Sequence, residues 1–165
     1  MAQTGGSMVE RMIGAAMLNV DTYEEVEHDQ DATGQAAAVV AIVAVCSAIG
    51  ASPLGWIAAV GQAGSALVGW VVWAGIAYFV GSNVFKGEVT WGEMLRTLGF
   101  AQAPGVLLLT GIIPILSWPI LFAASIWMLV TAFVATRQAL DLDNAKTFMT
   151  IIVGWLILFG LRAIF

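Results

Sequence analysis

Two long stretches without a charged side chain, Ala32 to Phe85 and Thr97 to Thr136, decide what this chain can fold into. The first holds 54 residues and the second 40. At 1.5 Å per residue, forty helical residues reach about 60 Å, twice the thickness of a hydrocarbon core of about 30 Å. One crossing cannot use up either run, and each fits two spans folded into a hairpin. The turns belong where proline removes a backbone donor and biases its predecessor away from helix. Those places are Gly50 to Gly55, around Pro53, and Pro114 to Pro119.

Composition agrees with a bilayer as solvent. The 165 residues are 60% hydrophobic and 10% charged, with mean hydropathy +0.91, whereas about a quarter of residues are charged in soluble domains. The chain therefore reads as an all-α integral membrane protein with one membrane domain. The acidic residues fall at 10–31, 88–93 and 141–143, outside the apolar runs. The single cysteine, Cys46, sits in an apolar run. It cannot form an intramolecular disulfide and reads as a small buried hydrophobe.

In chain order, residues 1–7 read as a frayed polar end. Met8, Val9, Met12, Ile13, Ala16, Met17 and Val20 then recur at helical spacing. This is an amphipathic helix too short to span, suited to the headgroup plane, to a partner or to covering its own bundle. Glu10 and Arg11 interrupt its apolar stretch, so the N-terminus does not read as a cleaved signal peptide. Asp21 or Thr22, with Glu24 or Glu25 three residues on, offers a capping box for a second short helix. Glu24, Glu27, His28 and Asp31 share a helical face, either a conceivable cation site or a solvated acidic face. Within this cytoplasmic segment, 1–33, the candidate partner-binding residues are Met12, Met17, Tyr23, Glu24, Glu27 and His28.

The membrane domain, 34–165, divides into five spans near 34–52, 63–84, 94–112, 115–136 and 147–165. Around the second span, Gly61, Ser65 and Gly69, then Ala77 and Gly81, provide small residues that let another helix approach closely. The third carries Gln102 beside Pro104. A cytoplasmic N-terminus puts Arg11, Lys86, Arg96, Arg137 and Lys146 inside and only Arg162 outside, so the C-terminus is expected on the opposite side. Trp56 and Trp118 then mark the outer interface and Trp91 the inner one.

Chemistry is sparse. Neither apolar run contains Asp, Glu, His, Lys or Arg, and the chain has no HExxH, GxSxG, P-loop or GxGxxG motif. An enzyme working in the membrane needs such groups there, so no catalytic, metal or cofactor residue is expected. No basic patch suits nucleic acid. A small channel or transporter has one foothold, Gln102 at the Pro104 break, where a broken span can bare carbonyls. The plainer alternative is a kink at Pro104 with Gln102 bonded to a neighbouring span.

The run G-E-V-T-W-G-E-M-L-R-T-L-G-F-A-Q-A-P (87–104), the proline-containing turn after it, Trp127, and A-T-R-Q-A-L-D-L-D-N-A-K (135–146) together resemble the Yip-domain family, the Ypt/Rab-interacting membrane proteins. The upstream stretch from Arg11 to Ala36 resembles the N-terminal part of the family's short prokaryotic members. The likeness spans roughly 10–165, with Gly99, Gln102, Ala103, Pro104 and Pro114 as its candidate motif and helix break. It implies five spans, a cytosolic N-terminus and a non-enzymatic adaptor or accessory role in a prokaryotic cytoplasmic membrane. The implied partners are the lipid bilayer and other membrane proteins, or further copies of the chain. Eukaryotic members bind prenylated small GTPases. This chain lacks their Asp-Leu-Tyr-Gly-Pro element and their long cytosolic domain, which leaves a small GTPase a doubtful partner.

Overall fold

The structure, a computed structural model, describes residues 6–164 and, within them, all side chains except those of 114–116 and 161–164. The polar end 1–5, the side chains of Pro114 and Arg162, and Phe165 thus lie outside the described residues. The described elements are helical throughout. They are α1 (Met8–Ala16), α2 (Val20–His28), α3 (Ala32–Ala51), α4 (Trp56–Asn83), α5 (Trp91–Phe100), a 3-10 helix (Ala103–Ile112), α6 (Pro114–Ala139) and α7 (Asn144–Ile164).

Local chemistry sets the helix starts. Ser7 and Glu10 form a full capping box at α1, and Thr90 and Glu93 form another at α5, each meeting two otherwise orphaned amides. The cap of α2 differs from expectation: the Asp21 amide donates to Asn19 Oδ1 at 2.9 Å, so Asn19 takes the role foreseen for Asp21 or Thr22. Leu18, at φ 62°, reverses the chain sharply enough for α2 to begin two residues later. The amphipathic helix expected over Met8 to Val20 consequently ends at Ala16, and the second short helix starts at Val20. The two cross closely, since a Cβ on Gly14 would lie 2.2 Å from Thr22 Oγ1.

In the first apolar run, α3 and α4 form the expected hairpin. A short 3-10 turn at Ser52–Leu54 and Gly55 at φ 104° reverse the chain between them. Gly50 is not part of that turn. It lies inside α3, where its missing side chain admits the carbonyl of Leu108, 2.0 Å from where a Cβ would stand. α4 starts at Trp56, seven residues before the span expected at 63–84, because nothing after Gly55 breaks the helix.

In the second run, the span expected at 94–112 with its break or kink at Pro104 is two pieces bent by 44°, α5 and the 3-10 helix. Pro104 cannot donate to a preceding carbonyl, and Gly99 and Gly105 draw the pieces against α3 on either side of it. Cβ atoms there would come within 2.8 Å of Ala36 and 2.6 Å of Val43. The hairpin turn also falls earlier than Pro114 to Pro119. It is made at Ile113 (φ −107°, ψ 96°), and Pro119 sits within α6.

Among the described residues, three segments are long and apolar enough to cross a membrane: Ala32–Leu54, Trp56–Asn83 and Ser117–Ala139. The bent pair makes a fourth if its halves count as one span, and Asn144–Gly160 is a shorter apolar helix. The core lies where α2 to α6 meet. Ala36, Ala74, Ala77, Ala135 and Ala139 there surround Tyr23, Met94, Phe100 and Leu140. Small residues bring the backbones close, and van der Waals packing then does the work that water does in soluble cores.

Candidate functional site

Three features single themselves out: the docked N-terminal hairpin, the break in the third span, and a cleft along α4. The first rests on two buried arginines. Arg11, 2% exposed, donates to Glu25 Oε1 (2.7 and 3.1 Å), to Asp29 Oδ2 (2.6 Å) and to Gln35 Oε1 (3.1 Å). The Gly6 amide and Arg11 hold the Glu25 carboxyl below its usual range, and Arg11 does the same for Asp29. Arg11 thereby ties α1 to α2 and to the first turn of α3.

Arg96, 5% exposed on α5, faces the C-terminal end of α2. Its Nε donates to the Val26 carbonyl at 2.9 Å, Nη2 donates to the Glu27 carbonyl, and Nη1 reaches Thr33 Oγ1 at 3.4 Å. A cation over the last carbonyls of a helix answers both their unmet acceptors and the negative end of the dipole. Tyr23, fully buried, completes the dock by donating to the carbonyls of Ala15 (2.9 Å) and Thr131 (3.4 Å).

The residues foreseen as partner-binding divide accordingly. Tyr23 and Glu27 are buried and Met12 is partly covered, whereas Met17, Glu24 and His28 are exposed. Glu24, Glu27 and His28 do not present one solvent face. Among the described residues no group of three His, Cys, Asp or Glu side chains is placed to hold a metal ion. Burial, with Asp141, Glu93 and Glu24 nearby and only His28 opposing, pushes the Glu27 carboxyl up to about 7.

At the break, Pro104 leaves the Ala101 carbonyl without its 3-10 donor, and Thr131 Oγ1 of α6 supplies one at 2.6 Å. Ala103 and Pro104 are buried, and Gln102 is partly exposed. Gln102 lines a cleft of about 260 Å³ with Ser65, Gly69 and Trp70 of α4 and Met128 and Ala132 of α6. A second cleft of about 540 Å³ lies further along α4 toward the Gly55 turn, lined by Gln62, Ser47, Ser117 and Ser125 among others.

These two clefts occur because, among the described residues, α4 and α6 scarcely approach each other. The small-residue series along α4 is split by that geometry. Ala77 and Gly81 pack inside the bundle, Gly81 against Leu140. Gly61, Ser65 and Gly69 are exposed, and a Cβ on Gly61, Gly64 or Gly69 would meet nothing within 4 Å.

The hydrogen bonds of Arg11, Arg96 and Thr131 were not foreseen as a site. The available signal was the isolation of each arginine within an apolar helical pattern, a placement that asks for a buried partner.

No curated protein and no solved structure matches the chain. A family model described as the Yip1 domain matches residues 17–164, from the end of α1 through α7. Matched over residues 17–164 and built of apolar helices, this chain belongs to the Yip1 domain family of membrane proteins.

Proposed function

We propose that the chain is a non-enzymatic membrane adaptor or accessory subunit that receives a partner's transmembrane helix in the cleft between α4 and α6. The observation that carries this reading is the open Gly61, Ser65 and Gly69 face of α4, with Gln62 and Gln102 beside it. Small residues admit a second backbone, and amides at membrane depth favour an occupant that can hydrogen-bond over lipid chains. The occupant is another membrane protein or a second copy of this chain. The exposed Glu24 and His28 offer the same partner a contact at the membrane surface.

This reading takes α7 as a fifth span, with the N-terminus cytoplasmic and the C-terminus opposite. The grouping of Lys86 on the α4–α5 connector, Arg137 in the last turn of α6 and Lys146 in the first turn of α7 supports that orientation. Co-purification from mild detergent tests the reading. The unaltered chain is expected to retain a stoichiometric partner or itself, and Gly61→Leu with Gly69→Leu to lose it while staying folded. Retention by the double variant overturns the cleft as the docking face.

A second reading, a small channel or transporter, draws on the placement of Gln102 in its cleft beside the helix break. It requires solute or ion flux in reconstituted vesicles that Gln102→Leu abolishes; absence of flux from the unaltered protein ends it.

A further inference from the structure

α1 carries an apolar face that none of the described residues covers. Val9, Ile13 and Met17 recur every fourth residue and are 57%, 55% and 74% exposed, while Arg11 and Ala15 on the other side are almost wholly buried. The sequence alone would turn the charged side of such a helix to water and its apolar side to the core. Here the ion pairs to Glu25 and Asp29 draw the guanidinium inward, and the apolar stripe is turned out.

The location of that stripe says what covers it. The Trp127 indole donates to the Ala16 carbonyl at 2.8 Å, tying the end of α1 to the outer surface of α6. Trp127 is twelve residues from the end of α6 at Ala139, about 18 Å along a helix axis. Beside it, Ile126, Leu129 and Val130 are exposed apolar side chains on a segment built to cross a membrane. In a span such side chains face lipid, and the α1 stripe continues their surface.

We propose that α1 and the turn after it are wedged into the membrane leaflet on the side of the α4–α5 and α6–α7 connectors. Lipid acyl chains cover Val9, Ile13 and Met17, and Glu10, Asn19 and Asp21 reach the headgroups. Because Arg11 is occupied inside the protein, the exposed face has no cation with which to seek anionic lipid. Insertion therefore depends on apolar burial and proceeds equally in zwitterionic bilayers.

The test uses the full chain with Cys46→Ser and single cysteines at Ile13, Met17, Val130 or Glu24, spin-labelled and reconstituted in phosphatidylcholine vesicles. Labels at Ile13 and Met17 are expected to match Val130, open to oxygen and at least fivefold less open to a water-soluble nickel chelate than Glu24. Nickel access equal to that at Glu24 overturns the proposal, as does a label shut off from both reagents, which would mean that protein covers the face. The unmodified chain gives an independent reading. A carbene precursor dissolved in the lipid is expected to label the segment Val9–Met17, and labelling confined to α3, α4, α6 and α7 overturns the insertion.

Discussion

Removing the guanidinium of Arg96 tests how the N-terminal hairpin is held. Arg96→Met keeps the aliphatic bulk of a side chain that is 5% exposed but removes its hydrogen bonds to the carbonyls of Val26 and Glu27. Hydrogen bonds to a charged donor contribute about 1.5–3 kcal/mol each. Two such bonds, with water able to replace part of the loss at the end of α2, give a cost of about 3 kcal/mol. The cost is local, because Arg11 and Tyr23 still hold the other parts of the hairpin. Every 1.4 kcal/mol is a factor of ten in an equilibrium constant, so opening of the C-terminal turn of α2 becomes about a hundredfold more frequent. Hydrogen–deuterium exchange in lipid nanodiscs reads this directly. Amides from Glu25 to Asp29 are expected to exchange about a hundredfold faster, with those in the middle of α4 unchanged. Arg96→Lys, which can reach one carbonyl but not fork across two, should fall between. Exchange within twofold of the parent at Glu25–Asp29 would refute the claim that Arg96 caps α2.

Glu27 should make the same dock sensitive to pH. Its carboxyl is raised to about 7, so the folded state binds the proton more tightly than the unfolded chain does. The stability it contributes is greatest below the unfolded value of 4.5 and is lost as pH rises to about 7. After allowance for solvent screening, the loss is on the order of 1–2 kcal/mol. Glu27→Gln should flatten the unfolding-temperature profile across that window and raise the value at pH 8; an unchanged slope would contradict the assignment. Gly105→Val forces a side chain to within 2.6 Å of Val43 and 3.3 Å of Met128. It should cost about 1–3 kcal/mol in thermal unfolding, whereas Gly64→Ala, which meets nothing within 4 Å, should be silent. Thr131→Val leaves the Ala101 carbonyl without its donor and should destabilise by about 1 kcal/mol. An unaltered melting temperature would mean that the break finds another partner.

The apolar runs and the prolines made the hairpin order of the helices legible, because length against bilayer thickness and missing donors act on sequence directly. The ends of α3 and the start of α6 fall within a few residues of where those arguments put them. The break in the third span was marked by Gln102 and Pro104, but its close packing was not, since that needs Gly99 and Gly105 to find Ala36 and Val43 on a distant helix. Tertiary partners also decided the face of α1. Periodicity groups Val9, Ile13 and Met17 on one side without saying which way it faces, and the carboxylates of Glu25 and Asp29 turn Arg11 inward and leave that side outside. The α4 stripe shows the same limit. Four-residue steps drift round the helix, so Gly61 and Gly81 fall on nearly opposite faces of α4, and the position of Leu140 shows which of those faces is buried.

The central claim, that the α4–α6 cleft receives a helix from another protein molecule, is tested most directly by photo-crosslinking in native membranes. A photoreactive amino acid is placed in turn at Gly61, Ser65 and Gly69, and at Phe79 and Phe159 on exposed surfaces away from the cleft. The account predicts discrete protein adducts, to a partner or to a second copy, from Ser65 and Gly69 in the cleft and from Gly61 on the same open face of α4, and none from Phe79 or Phe159. Adducts to lipid alone from Gly61, Ser65 and Gly69 would contradict it.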